Sequence, residues 1–185
     1  SWIGELGGPM FVNRLSRLMF DPERFVDDAD EPMAKVGQGV VYTRTTDGRL
    51  LRILTDEDRA RRIAQFYEPY HAALTGLVTD TLERFGRCLI VDCHSFASDP
   101  LPSEPDQTPD RPDICIGTDP FHTPPELAEG LRGALALGGF RVRLDSPFAG
   151  TLVPRAHHGR DDQVTSLLIE VRRGLYCDEA TGDRA

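Results

Sequence analysis

The run Cys88-Leu-Ile-Val-Asp92, leading into Cys93, His94, Ser95 and Phe96, constrains this chain more than any other segment. An apolar stretch of that length between turn residues reads as a buried strand of a parallel sheet, here over 88–92. Open α/β sheets bind their ligands just beyond the carboxyl ends of such strands. His94 is therefore expected on a rigid support with its imidazole aimed at a crevice, as a metal ligand or an acid/base. A second apolar run, 164–173, carries Glu170 at a comparable place. A carboxylate on a buried strand is costly unless it is paired or faces a polar site. Glu170 thus either pairs with an arginine such as Arg172 or Arg17, or belongs to the same crevice. Asp92 could hold the His94 ring, although adjacent strand residues point to opposite faces.

The other segments complete an α/β pattern. Arg14 to Phe20 could be a strand, and VGQGVVYTRT (36–45) is a glycine-bearing loop or a short strand. Thr55 before Asp56, Glu57 and Asp58 starts a helix with acids where the dipole favours them. Apolar residues then follow at helical spacing to Phe85, with Pro69 kinking or dividing the helix and Gly86 stopping it. Phe96 to Pro112 is a loop with five prolines, long enough to be functional or mobile. ICIG (114–117) is a strand. Thr123-Pro-Pro-Glu126 reads as a capping box that opens a helix to about Leu137, ended by Gly138-Gly139. FRVRLDSP (140–147) alternates like a strand with one wetter face. Arg111 precedes Pro112, which fixes the local backbone and could present the guanidinium to the crevice; a salt bridge to a nearby acid is the plainer alternative. His71 reads as a packed or exposed helix residue and His157-His158 as solvated, while His122, before the helix cap, fits either role.

The net charge of −9 argues against nucleic acid or an anionic membrane as partner. Of 21 basic residues, Lys35 is the sole lysine; arginine suits planar carboxylates, and a GC-rich genome gives the same bias. Cys88, Cys93, Cys115 and Cys177 form no CxxC pair and read as small buried hydrophobes in a reducing cytoplasm. No stretch approaches the roughly 20 apolar residues of a membrane span, and no signal peptide opens the chain. A soluble cytoplasmic protein is the expectation. Dinucleotide, P-loop, esterase and zincin motifs are missing from the sequence.

Six strings occur in an order that resembles the N-formylglutamate amidohydrolases: SRLMFDPERF, VGQGVVYTRT, YEPYHAAL, VDCHSF, RPDICIGTD and IEVRRGLYCDEATG. The likeness spans about residues 14–182. It implies hydrolysis of N-formyl-L-glutamate, or a related N-acyl amino acid, to L-glutamate and formate in histidine degradation. The alternative is a catalytically silent homologue that binds an acidic amino acid derivative or a partner protein. The implied fold is a three-layer α/β/α sandwich with a mostly parallel or mixed sheet, similar to the zinc-dependent exopeptidases. The resemblance makes His94 the ligand of Zn2+ or another divalent metal and Glu170 the general base. It makes Arg17, Arg24, Arg111 and Arg172 the positions to test for holding substrate carboxylates, with Asp92 and Asp113 orienting the groups that touch metal or substrate. Residues 1–185 read as one amidohydrolase-like domain lacking the family's N-terminal histidine segment and a C-terminal helix. The metal site looks incomplete on that basis, with Asp21, Glu23 or His71 as replacement ligands.

Overall fold

The computed structural model describes residues 7–184; residues 1–6 and 185, which fall within the expected 1–185 domain, lie outside the described residues. The chain divides into two units, Ser1–Gly76 and Leu77–Ala185.

In the first unit, Arg14–Phe20 is not a strand but a series of turns. Short polar side chains there capture backbone donors that a ladder would need: Leu15 N–H donates to Asn13 Oδ1, and Leu18 N–H to Ser16 Oγ. Residues 36–45 form the glycine-bearing loop, in which Gly37 (φ 78°) offers its carbonyl to the N–H groups of both Thr43 and Arg44. The first helix, α1 (Asp56–Arg62), starts as expected, with the Thr55 hydroxyl accepting from Asp58 N–H at 3.1 Å. It continues through a π-helical turn, Ile63–Tyr67, into α2 (Glu68–Phe85). Pro69 explains the widened turn: it lacks an N–H and its ring crowds the carbonyl four residues back. Glu68 N–H accordingly reaches Ile63 O, five residues away. Pro69 therefore neither divides the helix nor ends it. Phe20, Val40, Val41 and Tyr67 form the apolar core, with the Phe20 and Phe66 rings stacked at 5.9 Å.

The second unit is a mixed four-stranded sheet with helices, an α/β fold. Gly86 stops α2 at φ 69°. The strands are β1 (Cys88–Phe96), β2 (Ile114–Gly117), β3 (Val142–Leu144) and β4 (Val164–Arg172), in spatial order β1-β4-β2-β3. β1 runs parallel to β4, β4 antiparallel to β2, and β2 parallel to β3, joined by helix α3 (Pro125–Leu137). β1 exceeds the expected 88–92 because β4 offers a partner along its whole length, from Cys88↔Val164 to Phe96↔Arg172. β3 is shorter than 140–147: the chain turns at Asp145 (φ 51°), whose carboxylate accepts from Thr118 N–H and Oγ1–H at 2.7 Å each. Gly117 is required by a close approach, since a Cβ there would stand 2.4 Å from Gly150 O.

The capping box does not form. Thr123 Oγ1 instead donates to Ser166 O at 2.6 Å and accepts from Asp119 N–H, tying the start of α3 to β4. Pro125 does occupy the first helical turn. His122 is a fully buried core residue: Nδ1–H donates to Val164 O at 2.7 Å, and Nε2 accepts from Gly159 N–H at 2.8 Å. His122→Phe should cost about 1–3 kcal/mol, because it strands the buried Val164 carbonyl and removes the acceptor of the exposed Gly159 N–H. Urea denaturation checks this, and an unchanged midpoint would deny His122 a structural role.

Candidate active site

β1 and β4 together place a row of polar side chains on one face of the sheet. In the parallel register His94 pairs with Glu170, so both side chains leave the same face of adjacent strands, about 4.8 Å apart in backbone spacing. Asp92 is two residues from His94, not one, and therefore shares that face. Its Oδ1 is 2.8 Å from His94 Nε2. The expected opposition of the two side chains is thus corrected by strand periodicity. His94 lies within β1 rather than beyond its end.

On the other side of Glu170 stands Cys115, its register partner on β2. Burial pushes the Cys115 thiol up to about 11, and the Glu170 and Asp145 carboxylates add to the effect. Its Sγ contacts Phe148 O at 3.2 Å. That thiol stays protonated at neutral pH and is no nucleophile.

The carboxyl end of the row is held by ion pairs. Arg172 donates to Asp113 Oδ1, and Arg141 N–H donates to Asp113 Oδ2 at 2.9 Å. Burial opposes ionisation of Asp113, but these donors hold its carboxyl below the usual range. The stability Asp113 contributes is therefore present above about pH 4 and lost as pH falls through its lowered value. Arg111 is buried in the loop before β2, donating through Nη2 to Glu104 and to Asp106 O. Because β2 is antiparallel to β4, its start lies level with the carboxyl ends of β1 and β4 (Ile114↔Val171), which brings Arg111 to that end.

The structure thus groups His94, Asp92 and Glu170 on one face, with Arg111, Asp113 and Arg172 near the strand ends. Arg17 and Arg24 gather in the first unit around Asp21, at 3.0 and 3.3 Å. Asp21, Glu23 and His71 have partners of their own there: Asp21 accepts from Tyr42, Glu23 pairs with Arg17, and His71 Nε2 contacts Pro22 O at 2.7 Å. His157 is half-buried and paired with Asp161, whereas His158 is exposed. Sequence reasoning missed Cys115, Phe96, Phe148 and Glu104. Only the first carried a signal, the period-two register of a short strand against Glu170.

The chain is an α/β protein, and the imidazole and two carboxylates on one face of its mixed sheet are group types used in proton transfer and metal ligation. Residues 3–177 match the N-formylglutamate amidohydrolase family, and the chain belongs to it. It is 30% identical over 183 residues to the N-formylglutamate deformylase of Pseudomonas aeruginosa, covering 95% of this chain and 66% of that protein. It is 28% identical over 182 residues to that of Pseudomonas putida, with the same coverage. The chain therefore spans just under two thirds of the length of these curated relatives. The crystal structure of N-formylglutamate amidohydrolase from Ralstonia eutropha superposes with a TM-score of 0.76 at 26% identity, over 91% of this chain and 67% of that one. A gene product of Agrobacterium tumefaciens shares the fold, with a TM-score of 0.65 at 19% identity over 88% and 60%.

Proposed function

We propose that the protein hydrolyses N-formyl-L-glutamate, or a closely related N-acyl amino acid, to L-glutamate and the released acid. Family membership supports this reading, and one observation carries it: His94 and Glu170 stand in register on one sheet face with Asp92 beside them.

The donor chemistry suits a divalent metal. Asp92 on Nε2 fixes the His94 tautomer whose lone pair lies on Nδ1, the usual carboxylate–imidazole arrangement behind a metal ligand. Imidazole nitrogen and carboxylate oxygen are the ligand types of catalytic zinc. When bound, zinc supplies Lewis acidity at the acyl oxygen and a lowered pKa for water. Glu170 takes the proton from the attacking water as oxygen adds to the acyl carbon. It then returns that proton to the nitrogen as the C–N bond breaks. Among the arginines, Arg172, held by Asp113, is the clamp proposed nearest the row, and a planar guanidinium suits the substrate's carboxylates. Arg17 and Arg24 are proposed as further carboxylate positions. No helix among the described residues is long and apolar enough to cross a membrane. The setting proposed is histidine degradation in the cytoplasm, on the strength of the family resemblance.

Elemental analysis with a formate-release assay tests the reading. About one divalent metal per chain with turnover is expected, because a catalytic site of this type holds one ion. In His94→Ala, metal retention should be lost while circular dichroism is unchanged. Absence of both bound metal and formate release in the wild type would overturn it.

A further inference from the structure

Arg111 is unusual among the arginines of this chain. Its side chain is only 2% exposed, its Cζ lies 5.8 Å from the Phe96 ring centre and 5.7 Å from that of Phe148, and those rings meet edge to face at 5.6 Å. A guanidinium packed beside two aromatic rings keeps its N–H edges for in-plane acceptors. Nη2 has two acceptors, the Glu104 carboxylate and Asp106 O, but Nε and Nη1 are buried with no hydrogen-bond partner. Buried donors of a charged group without acceptors are costly, and an incoming acceptor group would complete the set.

The position of the cradle supplies the ligand's chemistry. Phe96 follows His94 by two residues on the same face of β1, so its backbone stands about 6.6 Å along the strand from the His94–Glu170 row, and the Arg111 guanidinium lies beside its ring. The group now at Nη2 is itself a glutamate carboxylate, projecting from the proline-rich loop 97–112.

We propose that Arg111 is a carboxylate-binding site for the side chain of an acidic amino acid substrate, and that Glu104 is an internal stand-in which the incoming carboxylate displaces. The substrate then takes a bidentate place on Arg111, and Glu104 leaves with its segment of the loop. A substrate without a second carboxylate cannot displace it, so the exchange selects dicarboxylates. This inference rests on the proposed amidohydrolase reading for its substrate class, but its test reads binding rather than turnover.

Calorimetric titration of the full chain with L-glutamate, and separately with L-glutamine, decides it. Glu104→Gln keeps shape and hydrogen bonding while removing the competing charge. It should bind L-glutamate about tenfold more tightly than the wild type, with little change for L-glutamine. Arg111→Lys should bind L-glutamate at least about tenfold more weakly, because a point charge replaces the fork. Unchanged L-glutamate affinity in Glu104→Gln, or no L-glutamate binding to either protein, would overturn the proposal, even if Arg111→Lys proves unstable. Turnover of N-formyl-L-glutamate with unaltered Glu104→Gln binding would remove the stand-in and keep the enzyme. Tightened binding without hydrolysis would keep the carboxylate site and remove the enzyme.

Discussion

Glu170→Gln should lower kcat for N-formyl-L-glutamate by about 10²-fold or more, close to 2.7 kcal/mol of transition-state stabilisation. The substitution is nearly isosteric, and the residue is 9% exposed between His94 and Cys115. It removes the proposed proton acceptor without opening a cavity. KM should hardly change, since an amide can occupy the same space but cannot accept the proton of an attacking water. The metal content should stay at the wild-type level, which separates this change from His94→Ala. Loss of the adjacent charge should also let the Cys115 thiol titrate lower than its present value of about 11, because Glu170 is one of the groups that raises it. Turnover within about threefold of the wild type, on that same scale, would remove Glu170 from the mechanism.

The sheet was readable wherever a strand is buried on both sides. Ile114–Gly117 and the run beginning at Val164 needed no partner information, because continuous apolar character sufficed. What sequence could not supply was pairing. Whether β1 ends at Asp92 or Phe96 depends on how far β4 accompanies it, and that register also turns His94 and Glu170 into neighbours. Thr123 shows the same limit: its spacing to Glu126 satisfies a local rule, but a carbonyl on β4 competes for the hydroxyl and wins. For Arg111 the plainer expectation, a salt bridge to a nearby acid, is what forms, but its partner Glu104 was one of many acids in a loop with no periodicity. Long-range partners of loop residues leave no local trace, and the same is true of Tyr42 and Asp21, 21 positions apart.

Asp21→Asn should destabilise the protein by about 3–5 kcal/mol, the range for removing one member of a buried ion pair. Its carboxylate is wholly buried and organises the first unit. Oδ2 accepts from Arg17 Nε at 3.0 Å and from the Tyr42 hydroxyl at 2.7 Å, while Oδ1 accepts from Arg17 Nη2 and from Glu23 N–H. Arg24 approaches at 3.3 Å. Asparagine preserves the volume but leaves two guanidinium groups without their shared counter-charge. Arg17, 43% exposed, can turn to water, so the lower part of the range applies if it does so. The effect depends on pH in a definite direction. Burial pushes the Tyr42 hydroxyl up to about 12 from 10.0, and the Asp21 charge pushes the same way. A raised value means that the folded state favours the protonated phenol, so this contribution is complete below pH 10 and vanishes as pH rises toward 12. Asp21→Asn should therefore shift Tyr42 ionisation to lower pH and narrow the alkaline loss, while reducing stability at neutral pH. Urea denaturation at neutral pH and a phenolate absorbance titration check the two halves separately. A neutral-pH loss below about 1 kcal/mol, the scale of an exposed pair, would mean that water already screens the cluster and that its burial carries no energetic weight.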